Sequence, residues 1–162
     1  MPLLTFAKQQ EIKPVSANNE KRYVQIQAEA EEYYLIKLIG AALLQKIQAE
    51  PTAYADLLDG SEFYYCGENI RHKGLLYVLA YFTFSKYVFE IGITDTFTGF
   101  ASKERSEASN AREGELQRIS SAAKKMAYQA WTLVEAFIKA TYSSAPSSEK
   151  IGVPWMVGVK RT

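Results

Sequence analysis

The sequence contains a single cysteine, Cys66, and a single histidine, His72. One cysteine excludes an intrachain disulfide and a zinc site built on several thiolates. A Cys/His dyad is conceivable but has no third, orienting residue, so a buried or half-buried thiol and a surface histidine at a helix start are the preferred interpretations. The carboxylates of Glu29, Glu31 and Glu32 are interpreted as the wet face of a helix, and no metal or cofactor is expected.

A charge excess of one sign is also missing, since 19 Lys and Arg residues face 18 Asp and Glu residues. No global field draws the chain to nucleic acid, so any contact with DNA has to come from short basic spots at 71–73, 124–125 and 160–161. Neither GxxxxGK[ST] nor GxGxxG occurs, and the first residues lack the pattern of a secretory signal. We therefore expect a protein made and used inside a cell.

No apolar run is long enough to predict a membrane span. The longest run, Gly74–Gly92, is apolar on every side but includes Thr83 and Ser85, and it carries Lys86 and Glu90 four residues apart. A helix of this kind is buried either in a protein core or in a bilayer, which needs about 20 apolar residues. The pattern therefore predicts a central core helix and no membrane contact.

Two long helices are predicted on either side of this core helix. The first runs over Glu20–Gln48, is capped by Asn18 or Asn19, and has at Gly40 either a bend or a close approach of another backbone. The second begins after Ser106 and ends near Tyr142. Their predicted apolar faces are Tyr23, Ile26, Ala30, Tyr33, Tyr34, Leu38, Ala41, Ala42 and Leu44 or Gln45 in the first, and Leu116, Ile119, Ala123, Met126, Ala127, Ala130, Leu133, Val134, Phe137, Ile138 and Thr141 in the second.

The segments between and beyond these helices are short. Pro51 ends or restarts the first helix, one short turn follows, and Glu62–Cys66 with Asn69–His72 predict a small hairpin. Met1–Ser16 reads as an extended arm. After a Ser/Pro linker, the apolar segment Ile151–Val159 either folds back over its own core or docks on a neighbour.

These observations predict a mainly α fold: a helical bundle of two long helices around a central apolar helix, with a small β-hairpin or extended segments and terminal arms. The predicted organisation is an N-terminal arm over 1–18, a helical domain over 19–142, and a linker with a C-terminal extended arm over 143–162.

The polar segment after the core helix is the predicted site of contact with partners, because loops on a rigid helical body often carry recognition. An ordinary helix–helix connection is the alternative. The C-terminal segment Ile151–Val159 adds a tryptophan and a methionine, two residue types that are common in interfaces. The candidate interface residues are Thr94, Asp95, Thr96, Phe97, Thr98, Gly99, Phe100, Lys103 and Arg105, together with Trp155 and Met156.

Three segments follow one another in a distinctive order: EEYYLIKLIGAALLQKI at 31–47, GLLYVLAYFTFSKYV at 74–88 and ITDTFTGFASKERSEAS at 93–109. In this order they resemble the head–tail connector proteins (adaptor, or head-completion, proteins) of tailed bacteriophages and prophages, especially the small helical neck proteins of phages of Bacteroides-like hosts. The resemblance covers roughly 19–142 and carries no catalytic residues.

The resemblance implies a non-enzymatic structural protein that assembles as a ring, commonly of twelve copies, between the portal and the next neck or tail component. It implies self-association in the virion, with a monomer when free, contact with portal and tail or neck proteins, and non-specific DNA in the channel. The protein would be in the host cytoplasm during assembly and then in the virion neck. A helical protein-binding or small-ligand-binding module is the alternative function, and an enzyme is a distant third.

Overall fold

A computed structural model describes residues 2–15, 20–91, 93–96, 99–102 and 109–142, with the backbone alone described within 91–113. The described part is mainly helical and includes two small antiparallel sheets of two strands each. Mainly α is therefore the correct class.

The N-terminal segment is helical where an extended arm was expected. Helix α1 spans Phe6–Ile12 and is capped by the Thr5 hydroxyl, which accepts a hydrogen bond from the Lys8 backbone N–H. Leu4 is fully buried in the main core, and its carbonyl accepts a hydrogen bond from the Gln27 side chain. The Thr5 cap stabilises the start of α1, and burial of Leu4 with its bond from Gln27 holds the segment against the body. The arm prediction was therefore wrong for these residues.

The first long helix is interrupted by a π-helical turn. It begins as α2 (Glu20–Ala30), continues through the π turn Glu31–Leu35, and returns to α-helix in α3 (Ile36–Ile39). A π turn inserts one residue, so the buried face continues five residues after Ala30, at Leu35. Tyr33, expected on this face, is 56% exposed.

Gly40 ends α3, and helix α4 (Ala41–Ala49) starts directly after it. The glycine has a φ of 78°, and a Cβ placed on it would meet no heavy atom within 4 Å. The bend predicted there is confirmed, and the close approach is not. Helix α4 then lies beside the π turn, where the Gln48 side chain donates a hydrogen bond of 3.0 Å to Glu31.

The predicted hairpin is confirmed, and it is the first of two in the structure. A 3₁₀ turn at Pro51–Tyr54 and a short helix α5 (Ala55–Asp59) lead to strands β1 (Glu62–Tyr65) and β2 (Glu68–Arg71). The strands pair antiparallel with Tyr65 opposite Glu68. The two residues between them, Cys66 and Gly67, both have positive φ, as a two-residue type I′ turn requires.

Helix α6 (Leu75–Ile91) is the predicted core helix, and its burial is confirmed over most of its length. Lys86 reaches Glu29 on α2 and lies 3.6 Å from Glu90. No helix in the described ranges meets the length and hydropathy needed to cross a bilayer. The buried residues of this helix are Leu75, Leu76, Val78, Leu79, Ala80, Phe82, Thr83, Ser85, Tyr87 and Val88.

A second hairpin follows where a loop was expected. Strand β3 (Ile93–Thr96) pairs antiparallel with β4 (Gly99–Ser102), and helix α7 (Ser109–Tyr142) comes next. The alternation of threonine with other residues predicted an extended stretch but not its partner strand, which is short and contains few β-formers. Helix α7 makes its most extensive contacts with α6.

Candidate interaction surfaces

The predicted interface residues lie partly on the second hairpin. Thr94, Asp95 and Thr96 are on β3, with Asp95 opposite Phe100 and Thr96 opposite Gly99 on β4. The hairpin thus brings five of the predicted residues together on two paired strands. The other six, Phe97, Thr98, Lys103, Arg105, Trp155 and Met156, lie outside the described residues.

Helix α7 carries an exposed apolar stripe beside the face that packs on α6. Ile119, Met126 and Leu133 are 40%, 42% and 37% exposed. Their spacing of seven residues places them along one line of the helix. All three were expected in the buried seam. The core instead takes Ala123, Ala127, Val134 and Phe137, which leaves the stripe (Ile119, Met126, Leu133) at the edge of the packed face.

A groove lies between the first long helix and α4. Its described walls enclose about 560 Å³, and its exposed apolar residues include Val24 and Ile36, which are 41% and 39% exposed. Leu44 is 6% exposed within it. The lining is Pro2, Val24, Ala28, Glu31, Glu32, Ile36, Ala41, Leu44, Gln45 and Gln48.

Glu31 lies in this groove and is only 5% exposed, so its assignment to the wet helix face was wrong. One carboxylate oxygen accepts a hydrogen bond of 2.9 Å from the Leu3 backbone N–H, and the other accepts the bond from Gln48. The carboxylate thereby ties the N-terminal segment and α4 to the π turn. Glu29 and Glu32 are exposed, as expected.

His72 is buried, 1% exposed, where a surface histidine was expected. Its ring lies 4.3 Å from the Phe137 ring of α7 and 5.8 Å from the Phe63 ring of β1. Strand alternation explains the burial, because His72 follows Ile70 by two residues and points to the same face of the first hairpin. The surface prediction had rested on the position of His72 at a helix start.

Both ring nitrogens of His72 have partners. Nδ1 accepts a hydrogen bond of 3.2 Å from the Gly74 backbone N–H, and Nε2 lies 3.2 Å from the Ser61 hydroxyl. The Ser61 backbone N–H also points at Nε2, at 3.3 Å, so the backbone presents a donor to each ring nitrogen. A neutral ring has one lone pair and accepts only one of these two bonds. Burial lowers the pKa of His72 and outweighs the opposing effect of Asp56, which favours the neutral ring.

Two glycines form the junction between α5 and α6. A Cβ on Gly74 would lie 2.2 Å from the Leu58 carbonyl oxygen, and a Cβ on Gly60 would lie 2.4 Å from the His72 carbonyl oxygen. Both glycines also have positive φ. His72 and these two glycines therefore fix the path of the chain from α5, through the hairpin, to the core helix.

The thiol of Cys66 is exposed, which corrects the expectation of a buried or half-buried side chain. It lies in the turn of the first hairpin, whereas the His72 backbone N–H donates to the Ser61 carbonyl at the other end. Cys66 comes five positions after Ser61, with the four residues of β1 between them, which is about 16 Å of extended chain. The structure thus separates the two members of the conceivable dyad.

A cation outside the predicted basic spots, Lys37, lies beside the exposed Tyr33 ring on the first long helix. The Lys37 ammonium lies 3.6 Å from the centroid of the exposed Tyr33 ring. Hydrogen bonding and charge from Lys37, with a smaller effect from Lys124, lower the pKa of Tyr33. The charge of Lys124 on α7 thus acts on Tyr33 in addition to the larger effect of Lys37. Within the described part of the chain, no cluster of three or more metal-ligating side chains occurs.

Comparison with known proteins gives one family. The sequence model of a family described as a family of unknown function (DUF6712) matches residues 35–151, more than two thirds of the chain. The match starts at the last residue of the π turn and includes both hairpins, α6 and α7. No curated protein and no solved structure matches the chain.

Proposed function

The chain belongs to the DUF6712 family of unknown function, and we propose that it is a structural, non-enzymatic protein of a phage neck. In this role it joins the portal and capsid to the tail by assembling as a ring. It acts in the host cytoplasm during assembly and then in the virion neck. The proposal starts from the resemblance of three segments to head–tail connector proteins.

The stripe on α7 is the observation that carries the proposal. Ring subunits must present side faces that other copies of the same chain can cover. Helix α7 has 34 residues, or a length of about 51 Å, and its stripe remains exposed beside a face that is already packed on α6. A rigid helix with a second apolar line is suited to contact between neighbouring subunits.

The role of His72 supports a non-enzymatic function. It is the only histidine of the chain, and both of its ring nitrogens are engaged in the junction between α5 and α6. A general base has to reach the proton that it removes. A ring that is 1% exposed and held by Ser61 and Gly74 acts as a structural element instead.

The second hairpin and the residues around it are the proposed contacts with the portal or with adjacent copies. Short paired strands can add edge contacts to a neighbour, because their outer backbone groups are unpaired within a two-stranded sheet. Thr94, Asp95, Thr96, Gly99 and Phe100 belong to this proposed surface by their positions on β3 and β4.

Contact with channel DNA is proposed for the basic spots at 71–73, 124–125 and 160–161, with Lys37 beside the exposed Tyr33 ring as a further cation. Each copy offers several cations and an exposed ring, and repetition around a ring multiplies the attraction to phosphates. Such contacts do not read base sequence. The near-neutral chain is suited to a channel through which DNA has to pass.

The proposed arrangement of the subunit is a bundle of two long helices around α6. Contacts of α6 with α7, α2, α5 and α1 support this arrangement. The main core cluster also draws residues from α4 and from the N-terminal segment, including Leu44 and Leu4. A rigid centre of this kind would hold the stripe and the hairpin in fixed relation to each other.

Substitution of the stripe tests the proposal. Ile119→Glu combined with Met126→Glu should leave helicity and Tm close to wild type, since both side chains are about 40% exposed. Assembly with the portal ring of the same phage should weaken by about tenfold or more, as expected for a charge placed in an interface core. Sedimentation velocity measures the assembled fraction.

Tyr64→Glu is the matched control, because Tyr64 is 69% exposed on β1 and alternates with Phe63, the strand residue whose ring packs on Phe137 of α7. It should assemble like wild type. Normal assembly by the double α7 variant, or equal loss in the control, would contradict a subunit contact at the stripe.

The alternative function is a helical protein-binding or small-ligand-binding module, and the groove beside α4 is the observation that favours it. An apolar surface with carboxylate and amide groups can hold a peptide or a small molecule. A chain that stays monomeric in the presence of the portal, and that co-purifies with another ligand in the groove, would support this alternative.

A further inference from the structure

We infer that the groove between the first long helix and α4 is the docking site for the C-terminal segment Ile151–Arg161 of the same chain. This goes beyond the proposed function, because it concerns how the tail is held whether or not the protein assembles in a phage neck.

The groove offers the surface that this segment needs. Val24, Ala28 and Ile36 form an exposed apolar wall on one helix, and Ala41 continues it on α4. From Val24 to Ile36 the wall extends about 18 Å along the helix. Nine extended residues span about 30 Å, so the apolar run Ile151–Val159 is long enough to cover it.

The end of α7 is placed for an intramolecular connection. The Tyr142 ring lies 5.8 Å from the Tyr54 ring, in the 3₁₀ turn just after α4. Gln48, at the rim of the groove, is six residues before Tyr54 and is at most about 21 Å from it along the chain. The eight residues at 143–150 can span about 27 Å, which is enough to bring Ile151 to the groove.

Charge favours the same pairing. Glu32 is an exposed carboxylate in the groove wall and makes no ion pair among the described residues. The basic residues Lys160 and Arg161 follow the apolar run directly. An apolar segment with adjacent cations therefore complements an apolar groove with a carboxylate in its wall.

The stripe on α7 is the competing site for the segment. It also lies within reach, because Leu133 is about 14 Å from Tyr142 along the helix. However, the stripe is a single line on one helix, whereas the groove has two walls and buries more of an inserted side chain. The groove is also the site with the complementary carboxylate.

Trp155 provides the measurement in the full-length chain. In a Trp131→Phe background it is the only tryptophan, and phenylalanine preserves the partly buried packing of position 131. A docked Trp155 should emit at shorter wavelength than in the urea-unfolded chain and should be protected from acrylamide quenching. Both signals should stay constant on dilution, because the contact is intramolecular.

Groove substitutions should release the tail. Ile36→Glu should shift the ratio of docked to undocked tail roughly tenfold toward the undocked form. Ala28→Arg is the second variant and acts by filling the groove at an exposed helix position. Leu133→Glu is the matched control, since Leu133 is 37% and Ile36 39% exposed, and it should change neither signal. Circular dichroism verifies that each variant is folded.

A charge exchange tests the polar half of the site. Glu32→Lys should reduce docking by roughly twofold to fivefold, and Lys160→Glu in the same chain should restore it. Glu68→Lys on the first hairpin is the control for a general charge effect and should leave docking unchanged.

Four results would overturn the inference. The first is Trp155 quenching equal to that of the unfolded chain in the parent protein. The second is protection that is lost in Leu133→Glu but kept in Ile36→Glu and Ala28→Arg, which would place the tail on the stripe. The third is protection unaffected by any of these variants. The fourth is protection that falls on dilution, which would place the tail on a second copy.

Discussion

Among the glycines that the structure describes, Gly74 has the least room for a side chain. An added Cβ would meet the Leu58 carbonyl oxygen at 2.2 Å, in addition to the strain of a φ of +84°. Gly74→Ala should therefore lower the free energy of unfolding by the positive-φ strain of about 1–3 kcal/mol plus a packing loss of about 1–3 kcal/mol. Chemical denaturation followed by circular dichroism measures the sum.

Gly40→Ala is the matched control for this prediction. Its φ of +78° gives a similar backbone strain, but no heavy atom lies within 4 Å of the added Cβ. It should cost about 1–3 kcal/mol, with no packing loss. Equal destabilisation by the two substitutions would contradict the close backbone contact between α5 and α6.

His72 should make the stability of the fold depend on pH. Burial lowers the pKa of His72 in the folded chain, so the unfolded chain binds a proton first as the pH falls below the ordinary value of 6.5. The free energy of unfolding should therefore decrease from pH 7 toward pH 5. Because His72 is the only histidine, no other imidazole contributes to this slope.

His72→Asn isolates this effect. Asparagine can still accept the hydrogen bond from the Gly74 backbone N–H but does not titrate in this range. The variant should be less stable at pH 7 and should show a flatter profile between pH 5 and 7. An unchanged slope in the variant would assign the pH dependence to carboxylates instead of the histidine.

Residue-level environments were the least predictable from sequence. The exposed Cys66 follows from a type I′ turn that neighbouring residues specify only weakly, apart from Gly67. The burial of Glu31 depends on a hydrogen bond from Leu3, 28 residues away. Sequence patterns report periodicity along the chain, whereas these environments depend on contacts between distant segments.

At the scale of elements, Lys103 and Arg105 remain predicted interface residues next to the second hairpin. Reversing both charges, Lys103→Glu with Arg105→Glu, should reduce assembly severalfold without unfolding the chain. Charged residues at the rim of an interface affect the association of subunits more than the folding of each subunit. Thermal melts and sedimentation velocity measure the two properties separately. A large fall in Tm would show that these residues support the fold instead.

Lys139→Glu is the control for this pair of substitutions. Lys139 lies in the last turn of α7 and pairs with Glu135 at 2.6 Å on an exposed face. An exposed helix pair contributes about 0.3–0.5 kcal/mol, so its reversal should change stability little and assembly not at all. Equal loss of assembly in this control would indicate a general charge effect.

The long helices were predictable because their apolar spacing extends over many turns. The core helix α6 and the extent of α7 to Tyr142 agree with the sequence patterns. The π turn was not predictable, because the apolar pattern was compared with a regular helix of 3.6 residues per turn, which has no inserted residue. That insertion moved the buried position to Leu35 and left Tyr33 exposed beside Lys37.

At the scale of the whole molecule, the mainly helical class and the first hairpin followed from the sequence, but the N-terminal helix did not. Phe6–Ile12 is only seven residues long and is held by tertiary contacts of Leu4 and Leu3. A helix this short is unstable alone, so local patterns predict it poorly. The groove was also unpredictable from local patterns, because it forms only where two helices meet in the folded chain.

The proposed neck function unites these features: a core centred on α6 holds an exposed stripe and a hairpin for contact with other subunits. Electron microscopy of the purified chain mixed with the portal ring of the same phage tests this directly. The account predicts a closed ring of this protein stacked on the portal, with α7 stripes at the contacts between copies. A protein that stays monomeric and leaves the portal ring undecorated at high concentration would contradict it.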